Sequence, residues 1–157
     1  MFQLIVAVIS IALIAALAIA SIFYGGDAFT KSSEKANVTT LVNQAQQIAG
    51  AAALYKTENG VAIAAGVVNE SSPLVPEFLA QAPQGNKVAP NNWEIVVDTA
   101  ATPNVTYVYI PFDTSVDEAG KTSLCAEVAK QGAGHCATAT GAEATDAAST
   151  TGFALKL

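Results

Sequence analysis

Between Leu4 and Phe23 the chain reads LIVAVISIALIAALAIASIF, an apolar segment of 20 residues interrupted only by Ser10 and Ser21. No charged residue occurs before Asp27. At a rise of about 1.5 Å per residue, a helix of this length spans roughly 30 Å, the thickness of the hydrocarbon core of a bilayer. The segment therefore predicts a helix that is apolar on every side and long enough to lie in a membrane.

After Gly25 and Gly26 the chain becomes polar but keeps a helical pattern. Its apolar residues recur at steps of three and four, which is typical of one buried helix face. Asn59-Gly60 ends the pattern, and glycine suits the left-handed conformation that commonly follows a helix. We therefore predict an amphipathic second half of the helix. Its apolar face comprises Val38, Leu41, Val42, Ala45, Ile48, Ala49, Ala52 and Tyr55.

The two adjacent glycines lie where the two predicted halves of the helix meet. Each glycine weakens a helix by about 1 kcal/mol relative to alanine. We therefore expect a flexible or partly unwound joint at Gly25-Gly26, and a continuous helix that tolerates both glycines is the alternative.

Three interpretations of the apolar segment remain open from its residues. Ala18-Ile19-Ala20 resembles the small-residue cleavage site of a secretory signal peptide, but a basic stretch before the apolar run is missing and the run exceeds the usual length. An ordinary membrane anchor is the second interpretation, although the residues on either side of the segment indicate its orientation only weakly. In the third, copies of the segment pack against one another, because its many alanines permit close helix approach.

The composition excludes some classes of function. The net charge is −6, with seven basic residues that are all lysines, so we do not expect binding of nucleic acid through a basic patch. His135 is the only histidine, which leaves no triad for nucleophilic catalysis, and we predict no enzyme activity and no cofactor. Glycine-rich phosphate-binding motifs are also missing from the sequence.

The chain after the long helix shows mainly a β pattern. We predict a loop over 61–92 with a helical turn within 74–82, strands at 93–98 and 105–110 that pair as an antiparallel hairpin, and a helix over 122–131 stopped by Gly132. An exposed loop follows at 137–151, and alternation over 152–157 predicts a final edge strand.

Two cysteines and one acidic cluster are the chemical features of this region of the chain. Cys125 and Cys136 lie 11 residues apart, and we expect them to form a disulfide, with two free thiols as the alternative. Asp113, Asp117 and Glu118 offer carboxylates for calcium, but a solvated turn that leads into a helix is the simpler interpretation and we predict no metal site.

The apolar-then-amphipathic helix, the loop, the small sheet and the two-cysteine loop together resemble a type IV pilin. The end of the helix at LYKTENG (54–60) is similar to pilin sequences, while Met1 and a first cysteine on a short helix look more like the type IVb branch. One position departs from the family pattern, because pilins usually carry a glutamate at the fifth residue and this chain has Ile5.

The resemblance implies a mature subunit that a prepilin peptidase has cleaved and methylated at Met1. It implies a subunit of a surface filament, held in the inner membrane before assembly and polymerised with copies of itself by an assembly ATPase and a platform protein. A membrane-anchored extracytoplasmic binding module and a minor or pseudopilin subunit are the alternatives. We expect the filament core to contain Leu4, Ile5, Val8, Ile11, Ala12, Ala15, Ala16, Ile19 and Phe23.

The predicted fold is therefore α+β, with a long N-terminal helix packed on a small antiparallel sheet. Its predicted regions are the apolar helix half (1–26), the amphipathic half (27–60) and a β-sheet head with the disulfide loop (61–157).

Overall fold

A computed structural model of the chain describes residues 2–146 and 148–157. It confirms the predicted α+β fold, with helix α1 from Phe2–Asn59 and a small antiparallel sheet. The chain divides into two compact units, of which the first ends at Glu34 and the second comprises Lys35–Leu157. The later segment of α1, residues 35–59, therefore belongs to the same unit as the sheet.

Helix α1 ends where the sequence predicts. Gly60 adopts a positive φ of 71°, and its N–H donates to the carbonyl oxygen of Lys56 at 2.9 Å. An L-residue with a side chain is strained at such a φ, so the glycine stops the helix.

The amphipathic segment of α1 packs one face into the core of the second unit. The predicted face is largely correct, although Ala49 and Tyr55 are only half-buried and Ala51 is buried in addition. The buried residues of the helix are Val38, Leu41, Val42, Ala45, Ile48, Ala51 and Ala52.

Among the described residues, seven strands form two sheets. The larger sheet contains β1 (Gly66–Val67), β4 (Glu94–Asp98), β5 (Val105–Pro111), β6 (His135–Ala137) and β7 (Gly152–Lys156), in the order β1-β4-β5-β7-β6. The smaller sheet pairs β2 (Gln84–Asn86) with β3 (Ala89–Asn92). All pairs are antiparallel, and a second helix, α2 (Glu118–Gln131), lies between β5 and β6 in the chain.

The predicted hairpin is confirmed, but the predicted edge strand is wrong. Strands β4 and β5 pair with Ile95 opposite Val108. Strand β7 pairs with β5 on one side and with β6 on the other, so it is an inner strand. Phe153 is fully buried in it. A period-two pattern reports which faces are apolar and carries no information on how many neighbours a strand has.

The segment 61–92 contains structure that the sequence did not predict. A helical turn is present as predicted, since the N–H of Phe78 donates to the carbonyl of Leu74 at 3.0 Å. The prediction of a loop without strands is wrong, because β1, β2 and β3 lie there. These strands of two to four residues are rich in Gly, Asn and Pro, which have low β propensity.

Helix α2 begins four residues earlier than predicted and stops where predicted. The carboxylate of Asp117 accepts a hydrogen bond from the N–H of Gly120 and caps the first turn. Gly132 ends the helix in the left-handed conformation with a φ of 66°. The capped start extends α2 over Glu118–Lys121, residues that have no apolar pattern of their own.

Trp93 is the largest side chain in the core and is fully buried. Its ring meets that of Phe153 edge to face, with the ring centroids 6.2 Å apart. The indole N–H donates to the side-chain oxygen of Gln44 on α1 at 3.2 Å. A buried tryptophan thus has both apolar contacts and a hydrogen-bond acceptor, and it joins the helix to the sheet.

Candidate assembly surface

The apolar segment of α1 exposes its side chains on every side. Its large apolar residues from Phe2 to Phe23 are 49–81% exposed in the described chain. A contiguous apolar surface of this extent is unusual for a soluble monomer and marks contact with lipid or with another protein. We call residues 2–23 the assembly surface.

Every residue predicted for the filament core lies on the assembly surface. Their exposure is that of a single chain, so their role in a filament stays a prediction. All of them are exposed: Leu4, Ile5, Val8, Ile11, Ala12, Ala15, Ala16, Ile19 and Phe23.

Both serines of the assembly surface use their hydroxyl groups within the helix. Ser10 Oγ donates to the carbonyl of Val6 at 2.8 Å, and Ser21 Oγ donates to the carbonyl of Leu17 at 2.9 Å. A hydroxyl without a partner is costly in an apolar environment. The two bonds therefore make these serines compatible with lipid or with a dry helical core.

The N-terminal end of the assembly surface carries no acidic side chain. Ile5 stands where the resembling family usually has glutamate, and it is 55% exposed. The predicted modification site, Met1, lies outside the described residues. The side chains from Phe2 to Gly26 therefore offer a partner apolar contacts and no charge.

The helix continues without interruption through Gly25 and Gly26, so the expectation of a partly unwound joint is wrong. A long helix can continue through two glycines, because each costs only about 1 kcal/mol relative to alanine. A Cβ atom added at either glycine would meet no described atom within 4 Å. Packing therefore does not require glycine here, and the flexibility of the joint stays a prediction.

Helix α1 is long and apolar enough to cross a membrane, by length and composition alone. A signal sequence near an N-terminus passes the same test. The length and composition of the helix therefore support anchoring of the chain in a membrane.

The predicted disulfide is present between Cys125 on α2 and Cys136 on β6, with the Cα atoms 5.6 Å apart. No free cysteine occurs among the described residues. The bridge ties α2 to the strand at the end of the sheet order, which pairs with β7 on one side and with Glu143 through an isolated bridge at Ala137. In the chain-entropy model a loop of this length contributes about 3 kcal/mol.

The acidic cluster shapes a turn and a helix start. The carboxylate of Asp113 accepts from the N–H of Ser115 at 2.7 Å, and hydrogen bonds from Ser115 lower the pKa of Asp113. The carboxylate of Asp117 is the cap of α2. The described residues contain no group of three or more His, Cys, Asp or Glu side chains placed to hold a metal ion.

His135 and the following loop cover the outer face of the sheet. The Nε2–H of His135 donates to the carbonyl of Gly141 at 2.8 Å, and its ring meets Tyr107 edge to face. Gly141 has a φ of 83°, and an added Cβ would come within 2.8 Å of the side chains of Tyr107 and Val96. The segment predicted as an exposed loop is thus partly packed, and His135 has a structural role.

Sequence reasoning missed the polar contacts that hold the β2–β3 hairpin on α1. Gln44 Nε2 donates to the carbonyl of Gln84 at 2.7 Å, and Asn86 Nδ2 donates to the carbonyl of Asn37 at 2.8 Å. These bonds join residues 40 and 49 positions apart, and no local pattern indicates them.

Comparison of the chain with protein-family models, with curated proteins and with solved structures found no match.

Proposed function

We propose that the chain is a structural subunit that polymerises through the assembly surface into a surface filament of the type IV pilus kind. One observation carries the proposal: the large apolar residues of α1 up to Phe23 are exposed, while seven apolar residues between Val38 and Ala52 are buried in the chain's own core. The head is complete without the assembly surface, so that surface is available for a partner.

Lipid is the first partner in this proposal and neighbouring helices are the second. In water each large apolar side chain left exposed costs about 1.5–3 kcal/mol, so the segment does not leave the membrane alone. Transfer from lipid to a helical core has no hydrophobic gain, and close packing must drive it. Ala12, Ala15 and Ala16 allow the backbones of neighbouring copies to approach closely.

The resemblance supplies the remaining steps of the proposal. A prepilin peptidase releases and methylates the N-terminal amine, and an assembly ATPase with a platform protein moves the subunit from the inner membrane into the extracellular filament. Because Ile5 replaces the usual glutamate, residues 2–26 of a neighbouring copy offer no carboxylate to an N-terminal amine. Assembly then proceeds without a charge pair in the core.

A membrane-anchored extracytoplasmic binding module is the second candidate, and the length of the apolar segment favours it. In that case the same surface contacts lipid throughout the life of the protein. A minor or pseudopilin subunit is a variant of the first proposal, and Ile5 favours it because a tip subunit needs no repeated amine pairing.

The test is to shear cells that express the chain, pellet the released material and image it by electron microscopy with antibody against the head. Thin fibres labelled along their whole length are expected. Label only at fibre ends indicates a minor subunit. Protein that stays entirely in the membrane fraction, with no labelled fibres, contradicts polymerisation and supports the anchored module.

A further inference from the structure

A groove lies between the end of α1 and the turn that precedes β5. Its cavity volume is about 550 Å³, which is within the range of small-molecule sites. Its lining includes Ala52, Ala53, Lys56, Ile63, Val105 and Lys156, and we call it the lysine groove. All of its lining residues belong to the second unit, so the groove is independent of the assembly surface and of the proposed function.

The groove is hollow because α1 carries small side chains there. Ala49, Ala52 and Ala53 face it, whereas earlier turns of the helix fill the core with Leu41 and Ile48. Ala52 and Ile63 are buried and form an apolar floor. An aliphatic chain placed on this floor would leave water and gain contacts with both residues.

The rim of the groove is positive in a chain that is negative overall. Lys56 and Lys156 line it, and no aspartate or glutamate in the described part of the chain does, while the chain carries a net charge of −6. Within the described residues neither lysine has a carboxylate at ion-pair distance. A free carboxylate at Leu157 would offset one lysine and still leave the rim net positive.

We propose that the lysine groove binds a small anionic amphiphile, namely a carboxylate on a medium-length aliphatic chain. The aliphatic chain lies on Ala52 and Ile63, and the carboxylate pairs with the ammonium groups of Lys56 and Lys156. Charge and shape together select this occupant. A neutral aliphatic chain would form no ion pair with the lysines, and a small anion would make no contact with the apolar floor.

The experiment titrates octanoate into the isotope-labelled full chain in a non-ionic detergent and follows the backbone amides by NMR. We expect saturable shifts at 49–56 and 104–106. Ala53→Trp places an indole in the groove and should abolish these shifts, while Ala36→Trp, at an exposed position on α1 outside the groove, should retain them. Both positions are on the helix surface, so both variants are expected to fold.

The charge requirement has its own variants and probes. Lys56→Gln combined with Lys156→Gln should weaken octanoate binding about fivefold, the effect expected for losing two exposed charge pairs. Octanol and octylammonium should bind more weakly than octanoate at the same sites.

Four results would overturn the proposal. These are shifts confined to 2–23, unchanged affinity in Ala53→Trp, equal affinity for octanol and octanoate, and groove shifts that follow protein concentration without octanoate. The last result would mean that a second copy of the chain occupies the groove.

Discussion

The early and later segments of helix α1 differ in what surrounds them. Leu41 and Ile48 in the later segment are fully buried, whereas Leu4 and Ile11 in the early segment are 71% and 68% exposed. Both segments belong to one continuous α-helix, and both contain many aliphatic residues and alanines. The later segment buries its apolar side chains inside its own chain, and the early segment needs a partner outside it.

The polar residues of the later segment account for this difference. Asn43, Gln46 and Gln47 provide a face for water, and the opposite face is left for the sheet. The early segment has no such polar face between Leu4 and Phe23, so a single small sheet cannot cover it. A lipid or multi-helix environment can surround it on every side.

The largest expected effect comes from a charge in the assembly surface. Ala16→Arg, and equally Ala12→Arg, should abolish sheared filaments, because an arginine in an apolar helix environment costs at least about 2.5–3.5 kcal/mol per subunit. Electron microscopy of the sheared fraction is the measurement, with immunoblots of the membrane fraction to show that the subunit is present. Ala36→Arg, exposed in the second unit, is the matched control and should still form fibres. Normal fibres from Ala16→Arg would refute the proposed core.

Trp93→Ala should have the next largest effect, because it opens a cavity in the core and removes the hydrogen bond to Gln44. We expect a loss of about 3–5 kcal/mol in the free energy of unfolding, measured by urea denaturation in detergent. Tyr24→Ala removes a large aromatic ring that is 89% exposed in the first unit. It should change the stability by less than about 0.5 kcal/mol. Equal losses in the two variants would contradict the difference between the packed core of the second unit and the exposed side chains of the first.

Loss of the disulfide should destabilise the head by about 3 kcal/mol. The double variant Cys125→Ala, Cys136→Ala is compared with the original chain in urea denaturation, with and without a reducing agent. The reducing agent should lower the stability of the original chain to that of the variant and leave the variant unchanged. A variant as stable as the oxidised chain would show that the bridge contributes nothing at this position.

Replacing Gly25 and Gly26 by alanine should strengthen the helix by about 1 kcal/mol per residue. Neither added methyl group meets a described atom within 4 Å, so the change acts through the backbone alone. Hydrogen exchange of the amides at 22–30 should slow if the joint is flexible. Gly50→Ala, equally open but in the second unit, is the control and should leave that exchange unchanged. Slow exchange at 22–30 in the original chain would exclude a flexible joint.

The smallest expected effect is a dependence of stability on acid pH. Hydrogen bonds from Ser115 and from Ser149 lower the pKa values of Asp113 and Asp146 below their ordinary value of 3.8. A carboxyl with a lower pKa in the folded state contributes stability above its unfolded pKa and loses it as the pH falls through the folded pKa. Urea denaturation at pH 6 and at decreasing pH below about 4 should show this loss, and Asp113→Asn with Asp146→Asn should reduce it. An unchanged pH dependence in the double variant would contradict the assignment.

Features with a local cause were predictable from the sequence. Asn59-Gly60 and Gly132 end their helices because glycine adopts the left-handed conformation without strain. The β4–β5 hairpin follows from two short runs of β-branched and aromatic residues around a turn. The start of α2 also has a local signal, which the predicted bounds did not use. Asp117 caps the helix, because its carboxylate accepts a hydrogen bond from the N–H of Gly120.

Features that depend on distant residues were not predictable. Strand β1 consists of Gly66 and Val67, which form a strand only because β4 lies alongside them. The β2–β3 hairpin depends on Gln44 and Asn37 of α1. The lysine groove arises from helix alanines, whose small size has a structural consequence only once the sheet end is in place.

The sequence by itself determined that residues 4–23 form an apolar segment of membrane-spanning length, that an amphipathic segment follows, and where the helices end. These are properties of individual residues and of their periodic spacing. Only the tertiary structure decided that β7 lies between β5 and β6 and that Lys56 and Lys156 border one groove. Strand order and grooves depend on contacts between residues far apart in the chain, which no local pattern encodes.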